Sequence, residues 1–510
     1  MKNKIIFSLL ILFFIIYAVV VFSNLSEAYI DFGDGNYLYI SSRLADGINL
    51  YSDILSPQPP CHLLLGKYLI KLGRVLDNPL YTVRIFSIFL HILISFVIFL
   101  IGTTLFKNKI YGLVSSILYL FMPIGFWWSL GYQSEPLEIL FLSLFFYFFI
   151  SAKKPSTMII ASIFAALSCL TNMTAVPYVG LSILFLIVRR RDMFWWYFLP
   201  ILIILGTVIT YFQMKTGAYI DNVFLNQIGT FHREHPFLYG IQKIINEGKD
   251  VFTWEGGFII LALVGLIKWL SKNEDEIKNM KEYVGWHSFF SILSIIYVSK
   301  GATMEYIFTI GEPYVALFSA YTICKIFDKY VWGSFKGNGA FKKAFSNTTP
   351  FIISCTFILL ILVSSFIGYF FVVSMLKQER YEYNEDGVIK IKYYIEKYST
   401  EKDLILAPPY YAFITNRKLK NDYAEAFLWY MKIMNEISTG EKAAGTEMLK
   451  SLIESINNKE LPIVIINLSL TGELPGLLDA LNSNYTQIYD PMTDKPYQSL
   501  NESLGIFIRK

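Results

Sequence analysis

The chain is short of charged residues: Asp, Glu, Lys and Arg together make up 16% of its 510 residues. Soluble domains of ordinary composition carry about 25%, so this composition excludes an ordinary soluble protein. A net charge of only +4, without a basic tract, argues against nucleic acid as a partner. Cysteine is also scarce, and the paired spacing of a zinc or iron–sulfur site is absent. The four cysteines are Cys61, Cys169, Cys324 and Cys355.

Apolar residues are abundant instead: they make up 54% of the chain, and the mean hydropathy is +0.46. A helix of about 20 apolar residues is long enough to cross the hydrocarbon core of a bilayer. The first such run is long for a signal peptide and lacks a small-residue cleavage site, so we interpret it as a retained transmembrane helix. About eleven spans are predicted, at approximately 5–23, 83–105, 110–126, 136–151, 157–171, 176–188, 194–212, 256–270, 286–299, 305–324 and 350–376.

The distribution of Lys and Arg predicts the orientation of these spans. If the N-terminus is cytoplasmic, Lys and Arg concentrate in the inner loops, as the positive-inside rule requires. An odd number of spans then places residues 378–510 outside the cytoplasm, on the same side as a first outer loop over about 24–82. We therefore predict a polytopic α-helical membrane protein, of the plasma membrane in the first place, with an organellar membrane left open.

The composition changes sharply after residue 377, which predicts two domains: a transmembrane domain over 1–377 and an extracytoplasmic domain over 378–510. Short β-branched apolar runs alternate there with helical segments, a pattern typical of a small α/β domain. The predicted helices are 388–397, 422–437, 441–457 and 474–482, and the predicted strands are 403–407, 462–468, 487–489 and 505–509.

Two acidic residues, Asp31 and Asp34, follow the first span directly. The periodicity from Gly35 to Ala45 predicts an amphipathic helix at the membrane interface, ended by Gly47, with Asp34 near its N-terminal end. A simpler interpretation is that both acids only cap a span where it leaves the membrane.

The whole string of the first loop favours a functional interpretation. In order it contains an acid, a tyrosine, a helix of small residues, a glycine, a tyrosine, an acid and a proline pair. These residues are Asp34, Tyr37, Gly47, Tyr51, Asp53, Pro59 and Pro60. The string resembles the first outer loop of the GT-C glycosyltransferases, in particular the protein O-mannosyltransferase-like and lipid A aminoarabinose transferase-like families. Gly33 and Gln58 depart from the family pattern, which often has two adjacent acids and a charged residue before the proline pair.

The resemblance implies a reaction as well as a fold. These enzymes transfer a sugar from a dolichyl or undecaprenyl phosphate carrier, here to a protein, lipid or glycan acceptor. By similarity Asp34 is the catalytic residue, and Glu135 at the start of the fourth span faces the site. A carboxylate acting as a single general base, with in-line attack, would invert the anomeric centre. We therefore expect an inverting hexosyl- or pentosyltransferase.

The leaving lipid phosphate needs cations and N–H donors at the membrane surface. Arg43, His232, Arg233 and Lys300 meet this need in the predicted outer loops. Lys300 and Tyr306 have a simpler interpretation as interfacial anchors. The complete set of predicted substrate-binding residues is Asp31, Tyr37, Arg43, Asp53, His232, Arg233, Lys300 and Tyr306.

A metal ion is not required by this pattern. His232 and His235 are spaced as a metal-binding pair, but no third ligand accompanies them in sequence, so no metal ligand is predicted. No cofactor is predicted either, and a divalent cation is left open.

Two other classes of protein remain as alternatives. A transporter or flippase for a lipid-linked or polar substrate would concentrate ionisable residues within its spans and show internal repeats. The spans here look nearly free of charge and no repeat is evident, which favours the enzyme. A catalytically inactive scaffold of the same fold is the other alternative.

Overall fold

The computed structural model describes residues 2–23, 25, 32–225, 237–271, 280–288, 306–328, 385–424, 444–468, 474–488, 497–499 and 502–510. Contacts divide the chain into two compact units. The first unit comprises Met1–Asn24, Ile85–Val208 and Glu234–Val373. The second unit comprises Leu25–Arg84, Ile209–Arg233 and Ser374–Lys510, so it joins the predicted first loop to the predicted tail.

Most of the described chain up to residue 328 is helical. The helices are α1 (Lys2–Phe22), α2 (Phe32–Ala45), α3 (Pro60–Val75), α4 (Pro79–Phe106), α5 (Lys109–Leu120), α6 (Pro123–Trp128), α7 (Glu135–Ser151), α8 (Pro155–Cys169), α9 (Val176–Arg189), α10 (Arg191–Thr216), α11 (Phe237–Leu270), α12 (Tyr306–Thr309) and α13 (Glu312–Phe327).

Four described segments are long and apolar enough to cross a membrane, and each contains or overlaps a predicted span. These are Lys4–Phe22, Pro79–Phe106, Arg191–Thr216 and Val251–Leu270. Shorter apolar helices coincide with further predicted spans, namely Lys109–Leu120, Pro155–Cys169 and Met173–Arg189. The count of eleven stays a prediction, because residues 289–299 and 350–376 lie outside the described residues.

Three predicted spans differ from the observed helices. Span 110–126 is broken between α5 and α6 because Pro123 lacks an N–H and cannot continue a helix. The buried N–H of Ile124 donates to Glu255 Oε1 of α11 at 2.9 Å. Span 305–324 is likewise broken between α12 and α13, where Pro313 lies in the first turn. Span 256–270 is the last part of α11, which begins at Phe237.

Within the first unit, α11 and α13 pack with little space between their backbones. A Cβ on Gly265 would lie 2.1 Å from the carbonyl oxygen of Phe318, so only glycine allows this approach. The hydroxyls of Ser319 and Thr322 donate to the Phe258 and Leu261 carbonyls at 2.7 Å each. Small residues and interhelical hydrogen bonds are typical of helix contacts in membranes.

The described part of the tail contains both helices and strands. These are α14 (Glu385–Tyr398), β1 (Leu404–Ile405), α15 (Pro409–Ile414), β2 (Lys418–Leu419), α16 (Ala444–Asn457), β3 (Ile463–Asn467), α17 (Leu477–Asn484), β4 (Tyr485–Ile488), β5 (Tyr497–Ser499) and β6 (Glu502–Arg509). β6 pairs antiparallel with β3, β4 and β5, and β1 pairs parallel with β2.

Most of the predicted tail elements that fall on described residues are present. The helices near 388–397 and 474–482 and the strand near 462–468 are confirmed within a few residues. Helix α15 and strands β2 and β5 were missed because they are only two to six residues long. The predicted helix 422–437 is wrong at its start, since Asn421 and Asp422 have φ of +52° and +50°. Residues 425–437 lie outside the described residues.

Candidate active site

Helix α2 carries Asp34 and belongs to the second unit. The predicted helix over Gly35–Ala45 is confirmed, but it begins at Phe32, so Asp34 lies in its first turn. A carboxylate is favoured there by the helix dipole. Beyond the C-terminal end, Gly47 has φ of +98°, a conformation that glycine adopts without strain, and the predicted end of the helix is also confirmed.

Asp34 forms a buried ion pair with Arg84 of α4. The Arg84 Nη2 atom donates to Asp34 Oδ2 at 2.8 Å, and the two side chains are 1% and 0% exposed. Neither charge is hydrated in this position, so each is compensated by the opposite charge of its partner. The pair therefore holds the Asp34 carboxylate in one position.

Arg84 is a site residue that the sequence reasoning missed. It was counted as part of the apolar span 83–105, although an ionisable residue within such a span is itself a signal of function. The guanidinium also contacts a tyrosine of the tail: Arg84 Cζ lies 5.9 Å from the ring centroid of Tyr410 in α15, and the Tyr410 side chain is a hydrogen-bond partner of Arg84. Tyr410 is fully buried.

Tyr37 lies one helical turn after Asp34 and packs against a histidine of α3. The ring centroids of Tyr37 and His62 are 5.1 Å apart in an edge-on arrangement, and His62 is 1% exposed. Burial lowers the pKa of His62 to about 3. The imidazole is therefore neutral at physiological pH. His62 was not predicted, and a lone histidine after a proline pair gives no specific signal.

Arg43 is held by two carboxylates in the second unit. Its Nε donates to Asp422 Oδ1 at 2.7 Å and its Nη1 donates to Asp46 Oδ2 at 3.0 Å. The Tyr39 hydroxyl donates to the same Asp422 oxygen at 2.6 Å. Burial lowers the pKa of Arg43, but the hydrogen bond and charge of Asp422 outweigh it and raise that pKa overall. These contacts compete with the predicted role of Arg43 in phosphate binding, which stays a prediction.

Asp53 stabilises the loop after α2. Its Oδ2 accepts hydrogen bonds from the backbone N–H and the side-chain amide of Asn49, at 2.9 and 3.0 Å. These hydrogen bonds lower the pKa of Asp53, with the backbone N–H of Asn49 the largest cause. Asp53 is exposed, and its predicted contact with substrate stays a prediction.

Glu135 lies in the first unit, at the start of α7. It is 5% exposed, and its Oε1 accepts from Asn172 Nδ2 at 3.3 Å. Asn172 also donates to the Ser134 hydroxyl at 3.2 Å, and the Thr174 hydroxyl donates to Glu138 Oε1. The predicted acid is therefore one of two buried carboxylates at this end of α7.

The spans hold more buried acid than the sequence reasoning allowed. Glu138 and Glu312 fall within the predicted spans 136–151 and 305–324, Glu255 directly precedes span 256–270, and all three are at most 2% exposed. The scarcity of charge within spans was one argument against a transporter. These residues weaken that argument.

Several predicted site residues are not located. Asp31, His232, Arg233 and Lys300 lie outside the described residues, and Tyr306 is described only as the first residue of α12. Among the residues whose positions are described, no group of three His, Cys, Asp or Glu side chains could hold a metal ion.

Comparison with known proteins identifies the fold. Residues 58–214 match the family model described as dolichyl-phosphate-mannose-protein mannosyltransferase. None of the curated proteins matches the sequence. The structure is similar to that of ArnT from Cupriavidus metallidurans bound to undecaprenyl phosphate, with a TM-score of 0.64 and 12% identity over 98% of both chains.

A second group of similar structures is archaeal. The apo oligosaccharyltransferase of Archaeoglobus fulgidus gives a TM-score of 0.55 at 12% identity, covering 98% of this chain and 76% of that chain. AglB from the same organism, in complex with an inhibitory peptide and a dolichol-phosphate, gives a TM-score of 0.54 at 12% identity. That match covers 99% of this chain and 76% of that chain. The chain therefore has the fold of these polytopic membrane proteins, which confirms the predicted GT-C-like helical fold, while the count of eleven spans and the extracytoplasmic position of the tail stay predictions.

Proposed function

We propose that this protein is a membrane glycosyltransferase that moves a sugar from a polyprenyl phosphate carrier to a protein, lipid or glycan. The observation that carries the proposal is the buried Asp34–Arg84 ion pair, which places an oriented carboxylate in the first-loop helix of a GT-C fold. The carrier class is supported by the matched family model and by the lipid phosphates bound to ArnT and AglB.

Asp34 acts as the general base in the proposed reaction. The acceptor oxygen or nitrogen attacks the anomeric carbon and gives its proton to Asp34. The bond from that carbon to the phosphate oxygen breaks, and its electron pair leaves with the lipid phosphate. A single displacement of this kind inverts the anomeric centre, and the transferred sugar is a hexose or a pentose.

The other predicted residues contribute to binding in this proposal. Glu135 orients the acceptor, while Arg43, His232, Arg233 and Lys300 offer positive charge to the lipid phosphate. Asp31, Tyr37, Asp53 and Tyr306 line the site. A divalent cation is not needed for the displacement itself, and chelation of metal ions tests whether one takes part.

The proposed site lies on the extracytoplasmic side of the plasma membrane. The hydrogen bond between Tyr39 and Asp422 requires the first loop and the tail to lie on the same side of the bilayer. This supports the topology predicted from the Lys and Arg distribution, with domains over 1–377 and 378–510 and a cytoplasmic N-terminus. A flippase is the rival, favoured by the buried Glu138, Glu255 and Glu312 but not by the fold.

Incubation of the purified, lipid-reconstituted protein with radiolabelled carriers tests the proposal. Dolichyl phosphate mannose and undecaprenyl phosphate aminoarabinose represent the two sugar classes, each with protein, lipid and glycan acceptors. We expect transfer from at least one carrier, loss of transfer in Asp34→Asn, and an inverted anomeric configuration by NMR. Movement of the intact carrier between leaflets, without any transferred sugar, would instead identify a flippase.

A further inference from the structure

The tail reaches the candidate catalytic pair through Tyr410. This tyrosine belongs to α15, its ring lies 5.9 Å from the Arg84 guanidinium, and both side chains are fully buried. An arginine at this distance from a ring is attracted by the ring quadrupole, and the attraction is stronger when water is excluded. The Tyr410 hydroxyl also accepts a hydrogen bond from Arg84. Arg84 therefore has two partners: the acid Asp34, and a tyrosine from a distant part of the sequence.

Helix α15 is fixed within the tail. Pro409 starts it, and the chain just before it joins the sheet, where the Ile465 N–H donates to the Leu406 carbonyl at 2.7 Å. Arg417 holds its other end, since the backbone N–H donates to the Ala412 carbonyl at 2.8 Å and Nη2 donates to the Ser399 carbonyl at 2.9 Å. The position of the Tyr410 ring is therefore determined by the fold of the tail.

A second connection joins the tail to α2 itself. Asp422 accepts hydrogen bonds from Tyr39 and Arg43, and the backbone N–H of Leu419 donates to the Tyr39 hydroxyl at 2.8 Å. The helix that carries Asp34 is thus held by the tail at one point, and the arginine that orients Asp34 is held at another. Two separate contacts with the tail therefore restrict both members of the ion pair.

We propose that Tyr410 is a positioning residue of the transferase: the tail, through the Tyr410 side chain, holds Arg84 where it orients the Asp34 carboxylate. This inference rests on the proposed function, because it assigns a role in the same reaction. The tail then helps to set the geometry of the Asp34–Arg84 pair. Its contribution falls on the chemical step rather than on binding of the lipid carrier.

Two substitutions at Tyr410 separate the ring from the hydroxyl. Tyr410→Leu removes the ring, and we expect kcat to fall about 10- to 100-fold, as for small misplacements of a reacting group, with the KM for the carrier changed less than about threefold. Tyr410→Phe keeps the ring but removes the hydroxyl that hydrogen-bonds Arg84, so we expect kcat to fall, but less than in Tyr410→Leu. A Tyr410→Leu protein with wild-type kcat, or a larger loss in Tyr410→Phe than in Tyr410→Leu, would overturn the inference.

Tyr485→Leu is the matched control for a purely structural effect. Tyr485 is a buried tyrosine of the same tail, 2% exposed, and its hydroxyl donates to the Leu461 carbonyl within the tail. Both leucine variants should lower the unfolding temperature, but only Tyr410→Leu should lose kcat. A similar loss of kcat in Tyr485→Leu would show that tail stability alone is responsible, and the positioning role would be rejected.

Thermal unfolding distinguishes failure of this inference from failure of the proposed function. A wild-type protein that transfers no sugar defeats the proposed function, but the contact between Tyr410 and Arg84 is still measurable. In that case we compare Tyr410→Leu, Arg84→Lys and the double variant. If the double variant lowers the unfolding temperature by less than the sum of the two single variants, the contact is supported. If its shift equals that sum, the contact is contradicted.

Discussion

At the scale of single residues, Asp34 has two roles that a simple substitution does not separate. Its carboxylate is the proposed base, and it also compensates the charge of the buried Arg84. Loss of one member of a buried ion pair costs about 3–5 kcal/mol, because the other charge is left without its partner. A loss of activity in Asp34→Asn is therefore ambiguous when it is measured alone.

Removal of both charges resolves this ambiguity. We expect Asp34→Asn to lose at least about 100-fold in transfer rate and about 3–5 kcal/mol in stability to unfolding. The double variant Asp34→Asn/Arg84→Gln should recover much of the stability, because no buried charge remains, but not the activity. Denaturation and transfer assays on the same preparations measure both effects. Recovery of transfer in the double variant would contradict the role of Asp34 as base.

His62 predicts a pH dependence of stability. Burial lowers its pKa in the folded state to about 3, whereas the unfolded value is about 6.5. The unfolded state therefore binds the proton more readily between these values, and stability falls as the pH is lowered from about 6.5 towards 3, by up to about 1.4 kcal/mol per pH unit. Thermal unfolding between pH 4 and 7 measures this slope. In His62→Gln the slope should be smaller, and an unchanged slope would show that other groups cause it.

At the scale of elements, the contact between α2 and the segment after β2 holds the candidate site in place. Asn421 and Asp422 both have left-handed backbone conformations, which asparagine and aspartate adopt more readily than other residues with a Cβ. With this backbone, the Asp422 carboxylate accepts hydrogen bonds from Tyr39 and Arg43. Asp422 is only 16% exposed, so these hydrogen bonds are partly shielded from water.

Asp422→Asn tests this contact with little change in size. The variant loses the charge that Tyr39 and Arg43 pair with, and we expect it to lose about 1.5–3 kcal/mol of stability, as for hydrogen bonds to charged groups. Glu460→Gln is the control. It removes the exposed ion-pair partner of Lys420, and Lys420 precedes Asp422 by two residues. Its unfolding temperature should equal that of wild type. Equal temperatures for wild type and Asp422→Asn would show that the contact adds nothing.

The sequence predicted elements better than it predicted contacts between them. Hydrophobic periodicity located α2, and Gly47 marked its end, because both signals are local in the chain. The ion pair of Asp34 with Arg84 joins residues 50 positions apart, and periodicity holds no information about such distances. The break at Pro123 was missed because the flanking residues are apolar enough to continue a span. Asp422 gave no signal, since an acid in a tail is usually solvated.

At the scale of the whole molecule, the described contacts assign the first loop and the tail to one unit. The odd number of predicted spans places the first loop and the tail on the same side of the membrane, and this argument does not use the contacts. The number of spans itself stays a prediction, because the last of them falls outside the described residues. The relation between loop and tail does not depend on that number.

Labelling of single cysteines in intact cells tests this relation. Ser52 in the loop and Lys402 in the tail are both exposed, so Ser52→Cys and Lys402→Cys should react equally with a membrane-impermeant maleimide added outside. The wild-type protein, whose described cysteines are buried or half-buried, serves as the background. A cysteine placed before Ile5 should react only after permeabilisation. Labelling of one site but not the other would contradict the shared unit.

The hydrogen bond between Tyr39 and Asp422 also has a consequence for biosynthesis. Its two residues are 383 positions apart, so the ribosome has made most of the chain before the second partner exists. Helix α2 therefore enters the membrane environment long before its tail contacts can form, and the catalytic pair acquires its full surroundings last. We therefore expect a chain that is stopped short of the tail to be inserted without the proposed transfer activity.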